Sequence, residues 1–306
     1  MMNRRQLLSL PLIAAPLLGK SRVDKSRIGI ITDECAKSPA EAIAFAKKFG
    51  LRWFELRNVP GARKEYYTIP EEELRAAAKE FSANGVKVSF LNTGMLKFGL
   101  YDTEPARKRQ ETAEQRAKRL AGEKQRFDRR MEDLQKAIRA AHILGTDKVR
   151  IFTFTRVAEP AKLMPRLAEI LGPMALAAEK EKVKLLIENE GSCNVGTCAE
   201  LAAIMKLVPS KGLGINWDAM NGMAFKETPF PDGYRLLPNK RIHNVQIKGR
   251  SLLPGPQLLD WAAIFKTMIQ DGYKGQFGLE THIFDDRAIE HSHECMAEIM
   301  RIVEKV

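Results

Sequence analysis

The sequence predicts an α/β chain closed into a single (β/α)8 barrel, and three observations predict it. Four short apolar runs in the second half, LLIENE, LGINWDAMN, IHNVQIKG and FGLETH, each carry a polar residue near their ends: Glu188, Asp218, Gln246 and Glu280. The steps between these residues are 30, 28 and 34 (188 to 218, 218 to 246, 246 to 280), and one strand–helix–strand unit takes roughly 30 residues. Strand and helix signals also alternate through the first half. Finally, the chain has 306 residues, which suits one such barrel of about 250 residues plus a leader. All strand C-termini of a parallel barrel lie on one face, so residues far apart in sequence can converge there.

The elements follow in order. RIGIIT (27–32) reads as the first strand. SPAEAIAFAKKFG (38–50) reads as a helix, with Ser38 as N-cap, Pro39 at the first helical position and Gly50 as the stop. RWFEL (52–56) and VKVSFLN (86–92) are the next strands, separated by a helix over 69–85. AIRAAHILG (137–145) leads into the fourth strand, DKVRIFTF (147–154). Helical periodicity then marks 161–182, 197–208, 260–272 and 291–306, between the four runs named above. No long linker interrupts the alternation, which favours one barrel over two domains.

One interval breaks the rhythm. More than fifty residues separate strands three and four, including EPARKRQETAEQRAKRLAGEKQRFDRRMEDLQ. Its charged first half has almost no apolar stripe. It predicts a helical extension beyond the barrel, either a solvated helix or a lid whose Arg and Lys meet an anionic substrate or a neighbouring subunit.

The formal net charge of +12 divides unevenly. The first 27 residues carry Arg4, Arg5, Lys20, Arg22, Lys25 and Arg27 against Asp24. Residues 101–139 hold twelve Lys/Arg against eight Asp/Glu. Such mixed signs read as a solvated face and argue against nucleic-acid binding. No apolar run reaches the roughly 18 residues of a membrane span. The opening MMNRRQLLSLPLIAAPLLGK (within residues 1–26) pairs two arginines with an apolar stretch, as a twin-arginine export signal does. The expectation is a leader over 1–26, a barrel over 27–306, and export to the periplasm; a leader without that function would leave the protein cytoplasmic. Cys35, Cys193, Cys198 and Cys295 lack the spacing of a zinc ribbon. Buried thiols are the expected reading, with a Cys193–Cys198 disulfide as the alternative.

Oxygen donors at strand ends suit Mn²⁺ or Mg²⁺. Glu188, Asp218 and Glu280 supply carboxylates, and Gln246 an amide oxygen. One divalent ion held there, Mn²⁺ first and Mg²⁺, Co²⁺ or Zn²⁺ as alternatives, would clamp adjacent hydroxyl and carbonyl oxygens of a sugar. A neighbouring carboxylate would move the proton on the adjacent carbon through an enediolate. Lys248 shares Gln246's strand face, and would either stabilise the developing oxyanion or form a salt bridge. His282 would reach the pocket rim or brace its loop. Trp217 and Phe154 read as core, and Glu55 with Arg57 as a structural layer.

The runs LLIENE, WDAMN and GLETH, with the join FAKKFGLRWFELR, resemble the sugar phosphate isomerase/epimerase family with its xylose-isomerase-like TIM barrel. The resemblance spans 27–306. That family includes ketose 3-epimerases, hydroxypyruvate isomerase and inosose dehydratase. It implies metal ligation by Glu188, Asp218 and Glu280, with Glu188 and Glu280 as the acid/base pair. Asn221, where the family often has His or Asn, would touch a substrate hydroxyl. At the third ligand the family's His-x-Lys-Asp becomes Gln246-Ile247-Lys248-Gly249. Gln246 is a weaker ligand for transition metals than imidazole. His243 is an alternative ligand, but it lies an odd number of residues from Gln246 and so faces away.

The leading expectation is a metal-dependent sugar isomerase or epimerase acting on a small-molecule sugar or sugar derivative, with homo-oligomer formation open. A lyase or dehydratase on the same barrel is the chemical neighbour, and an exported non-catalytic carbohydrate-binding barrel the non-enzymatic alternative. A DNA-repair nuclease of the related three-zinc type needs more strand-end histidines than the five His of this chain supply. Xylose isomerase proper would need an early strand-end histidine to open a cyclic sugar.

Overall fold

Alternation decides the architecture. In the last four strands one alternating set holds Leu185, Ile187, Ile215, Trp217, Val245, Ile247, Phe277 and Leu279, while the other carries Glu188, Asn216, Asp218, Asn244, Gln246, Lys248 and Glu280 toward their ends. The computed structural model describes residues 23–107 and 110–306, and the twin-arginine-like segment up to residue 22 lies outside them. Eight parallel strands close in sequence order: β1 Ile28–Ile31, β2 Trp53–Leu56, β3 Lys87–Leu91, β4 Lys148–Ile151, β5 Lys184–Glu188, β6 Leu213–Asp218, β7 Ile242–Lys248 and β8 Gln276–Glu280. The predicted (β/α)8 fold is the observed one, with every predicted strand in place.

The helices are α1 Thr32–Cys35, α2 Pro39–Phe49, α3 Glu71–Ala83, α4 Ala113–Asp128, α5 Arg130–Leu144, α6 Pro160–Lys180, α7 Cys198–Leu207, α8 Tyr234–Leu236, α9 Trp261–Gln270 and α10 Ala288–Val303. α2 begins as its sequence dictates: the Ser38 hydroxyl accepts from the Glu41 amide, Pro39 opens the first turn, and Gly50 ends it at φ +67°. α1 and α8 are single turns that the periodicity did not reveal.

The core lies between strands and helices. Phe277 of β8 packs edge-on to Phe265 of α9 at 4.7 Å, and Trp217 of β6 meets Tyr234 of α8 at 5.3 Å. Trp217 and Phe154 are fully buried, so their predicted core role holds. His243 lies at the start of β7, near Lys184 and Lys148 at the starts of β5 and β4 and at the far end of the barrel from the β7 terminus; burial, then Lys184 and Lys148, push its pKa down to about 4. All four cysteines are free and buried. Among the described residues no helix is long and apolar enough to cross a membrane.

The extension is two helices. α5 buries Leu134, Ala137, Ile138, Ala141 and Leu144 against the barrel. α4 buries only Glu123, which binds Arg119 at 3.1 Å. α4 opens on a capping box between Thr112 and Gln115. The insertion leaves β3 and β4 joined by one register pair, Leu91 with Val149. The packed chain is already in place at the fully buried Val23, ahead of β1.

Candidate functional site

Glu188, Asp218 and Glu280 are the last residues of β5, β6 and β8. The barrel's geometry brings them together: one carboxylate oxygen from each lies within 4.8 Å of the others. All three are buried, each 3 % exposed or less. A trio of oxygen donors at this spacing could hold a divalent ion.

β7 runs two residues further than the motif suggested. Its last residue is Lys248, which pairs in register with Glu280, whereas Gln246 pairs with Asp218 and with Gly278. The Lys248 ammonium therefore reaches the trio, 2.6 Å from Glu280 Oε2 and 3.1 Å from Asp218 Oδ2. Gln246 is bound elsewhere. Its Nε2 donates to Glu55 Oε2 at 2.9 Å, and its Oε1 accepts from Asn216 at 3.2 Å. Asn216 also donates to Glu188 Oε2 at 2.7 Å, so one amide links Gln246 to the trio.

Beneath the trio lies a polar layer. Glu55 accepts from Asn92 at 2.7 Å, Asn244 at 2.9 Å and Gln246. A buried carboxylate needs such partners. Burial pushes Glu55's pKa up to about 7 despite the three amides.

Two arginines brace the acids. Arg150 of β4 donates to Glu188 Oε2 at 2.9 Å and to the carbonyl of Thr93. Arg57 contacts Asp33 and Glu34 at 3.0 Å each, and Glu280 at 3.5 Å. The cluster thus sets Asp33, Glu34, Glu188, Asp218 and Glu280 against Arg57, Arg150 and Lys248. Five acids face three bases. Burial would raise Glu280's pKa, but Lys248, His282, Arg150 and Arg57 hold it well below the usual range. Asp218 goes the other way: burial, with Glu188 and Glu280 nearby, outweighs Lys248 and lifts it to about 7. Burial and the charge of Glu280 likewise raise Glu34.

The remaining predicted residues sit at the rim. The Asn221 backbone donates to Asp218 Oδ1 at 2.9 Å, and its side chain donates to the Asn189 carbonyl at 2.8 Å. Here Asn221 holds the β6 turn. His282 Nδ1 is 3.6 Å from Glu280 Oε1, and its side chain is 45 % exposed. Its backbone is left-handed at φ +49°, and its N–H donates to Glu34 Oε2 at 2.9 Å. Glu34, Glu280 and His282 form a second group able to hold a metal. Sequence reasoning missed Arg150, Asn216 and Glu34. Their only signal was a polar side chain in, or just past, an apolar strand.

The model of the xylose isomerase-like TIM barrel family matches residues 43–299; the chain belongs to that family. Three solved structures illustrate the likeness. The IolI protein with a bound zinc atom is 15% identical, with 91% of this chain and 98% of that one covered and a TM-score of 0.67. D-allulose 3-epimerase from Methylomonas sp., in complex with D-allulose, is 15% identical over 92% and 96%, at 0.64. A xylose isomerase-like TIM barrel protein from Mycobacterium smegmatis, in complex with magnesium, is 15% identical over 86% and 89%, at 0.59. At these identities the likeness is one of fold. No curated protein matches the chain.

Proposed function

We propose that this barrel is a sugar isomerase or epimerase that moves a proton beside a carbonyl, assisted by one divalent metal ion. The observation that carries the reading is the buried trio of Glu188, Asp218 and Glu280 with oxygens within 4.8 Å of one another. The solved relatives that bind zinc, magnesium or D-allulose support it.

The trio would hold the metal, with Mn²⁺ favoured by the all-oxygen donor set. The metal would polarise adjacent hydroxyl and carbonyl oxygens of the sugar. Glu280, held ionised by its basic neighbours, takes the proton. Glu188 returns one from the other side, with Arg150 fixing its orientation. His282 at the rim is placed to meet sugar oxygens, and Lys248 would reach one only by leaving Asp218 and Glu280. Gln246 Oε1, the atom that would bind a metal, already accepts from Asn216, and Nε2 is tied to Glu55, so Gln246 serves here as a brace beneath the trio. Asn221 gives one amide hydrogen to the Asn189 carbonyl, and its second amide hydrogen or its oxygen would meet a sugar hydroxyl.

The test is a panel of ketoses, aldoses and their 3-keto and acidic derivatives, incubated with the protein and Mn²⁺ and followed by NMR. Interconversion that stops on chelation is the expected result. Loss of water from a substrate would make the protein a lyase. Sugar binding without turnover or metal would make it a carbohydrate-binding barrel, the second reading, which Lys248's ion pairs within the trio favour. The leader supports export of the folded barrel to the periplasm.

A further inference from the structure

We propose that Lys248 is an internal cation that exchanges with the metal: its ammonium closes the acid trio when the metal is away and swings out when the metal enters. This rests on the trio being a metal site.

The geometry sets up the conflict. Lys248 Nζ lies 2.6 Å from Glu280 Oε2 and 3.1 Å from Asp218 Oδ2. Those carboxylates are two of the three that approach within 4.8 Å. A divalent ion at bonding distance, about 2–2.5 Å from each oxygen, would sit against the ammonium. In a buried site two like charges that close repel strongly. One of them must leave.

Lys248 is the cation built to move. Arg150 is fixed by Glu188, the Thr93 carbonyl and the Asn92 carbonyl. Arg57 is fixed by Asp33 and Glu34. The Lys248 ammonium has contacts only to Asp218 and Glu280 among the described residues. Its four-carbon stem is flexible, whereas a guanidinium fork is rigid. Glu190, paired with Lys97 at 2.8 Å, already feels the charge of Lys248 and offers an acid outside the trio.

The exchange has a thermodynamic consequence. A metal that must first expel a bound cation has its apparent affinity lowered by the fraction of time the site is open. Without metal, the ammonium gives Asp218 its cation opposite Glu280 and spares it a costly unpaired state in a buried site. Metal loading thus becomes conditional, and the folded barrel does not depend on it.

The experiment titrates Mn²⁺ alone into the full chain and into Lys248→Met, by calorimetry and by loss of the free Mn²⁺ spectroscopic signal. The variant should bind at least about tenfold more tightly. A crystal structure of the wild type with Mn²⁺ should place Lys248 Nζ beyond hydrogen-bond reach of Asp218 and Glu280. Equal or weaker binding by Lys248→Met, while the wild type binds, overturns the exchange and leaves the metal site standing. No binding by either protein overturns both. If Lys248→Met fails to fold, the Mn²⁺-bound wild type decides: an ammonium still bonded to both acids rejects the exchange.

Discussion

Gly278 shows how tightly single residues are set around the site. A Cβ there would land inside the carboxylate of Glu55, which three amides hold in place. Gly278→Ala should destabilise the fold by about 1–3 kcal/mol through overpacking, measured by denaturant unfolding. Arg57→Met should cost more, about 3–5 kcal/mol, because it strands Asp33 and Glu34 against Glu280. The wild-type pKa of Asp218 stands near 7 in the metal-free fold, above its unfolded value near 3.9. A raised pKa contributes stability that is complete below the unfolded value and lost as pH climbs through the folded one. The stability difference between wild type and Asp218→Asn, both metal-free, should therefore shift against the wild type between about pH 4 and 7. A flat difference over that window would mean that Asp218 is not strained. At this scale the sequence revealed the acids and not their order. Glu188, Asp218 and Glu280 close apolar strands, a pattern visible by eye. Gln246 looked equivalent, but β7 continues to Lys248, and where a strand stops depends on pairing with β8, which no local pattern records.

Among elements, α4 is the one held least by the core. Its capping box therefore carries much of its order. Thr112→Ala should cost α4 about 1 kcal/mol, seen as faster amide exchange confined to 113–128. Exchange that accelerates throughout the barrel would mean that α4 is integral to the core. The contrast with α5 was legible in advance: AIRAAHILG has an apolar stripe, and the preceding charged stretch has none. What was not legible is how α4 docks. Arg126 lies over Phe98 at 4.2 Å, and Phe127 meets Tyr101 at 5.3 Å. Such contacts join residues that share no periodic signal.

For the whole molecule, the eightfold alternation settled the barrel, because each unit repeats one rule: an apolar strand, a stop, an amphipathic helix. The polar interior did not follow from that rule. Arg150 and Asn216 each break an apolar run, and the pairing of β4 and β6 on either side of β5 brings them to Glu188. The leader is a separate matter. Replacing both Arg4 and Arg5 by Lys should retain the protein inside the cell, judged by fractionation of a bacterial host; undiminished export would reject a twin-arginine route. The charge of the barrel is spread in mixed pairs, such as Lys124 with Asp128 and Lys136 with Glu132, which fits a solvated surface.

Solvent-deuterium uptake probes the acid trio most directly. A sugar substrate incubated with the Mn²⁺-loaded protein in D2O should gain deuterium at the carbon beside its carbonyl. Glu280→Gln should slow that uptake roughly 100- to 10,000-fold while the fold survives. Uptake at the wild-type rate in Glu280→Gln would contradict a proton transfer run by this carboxylate.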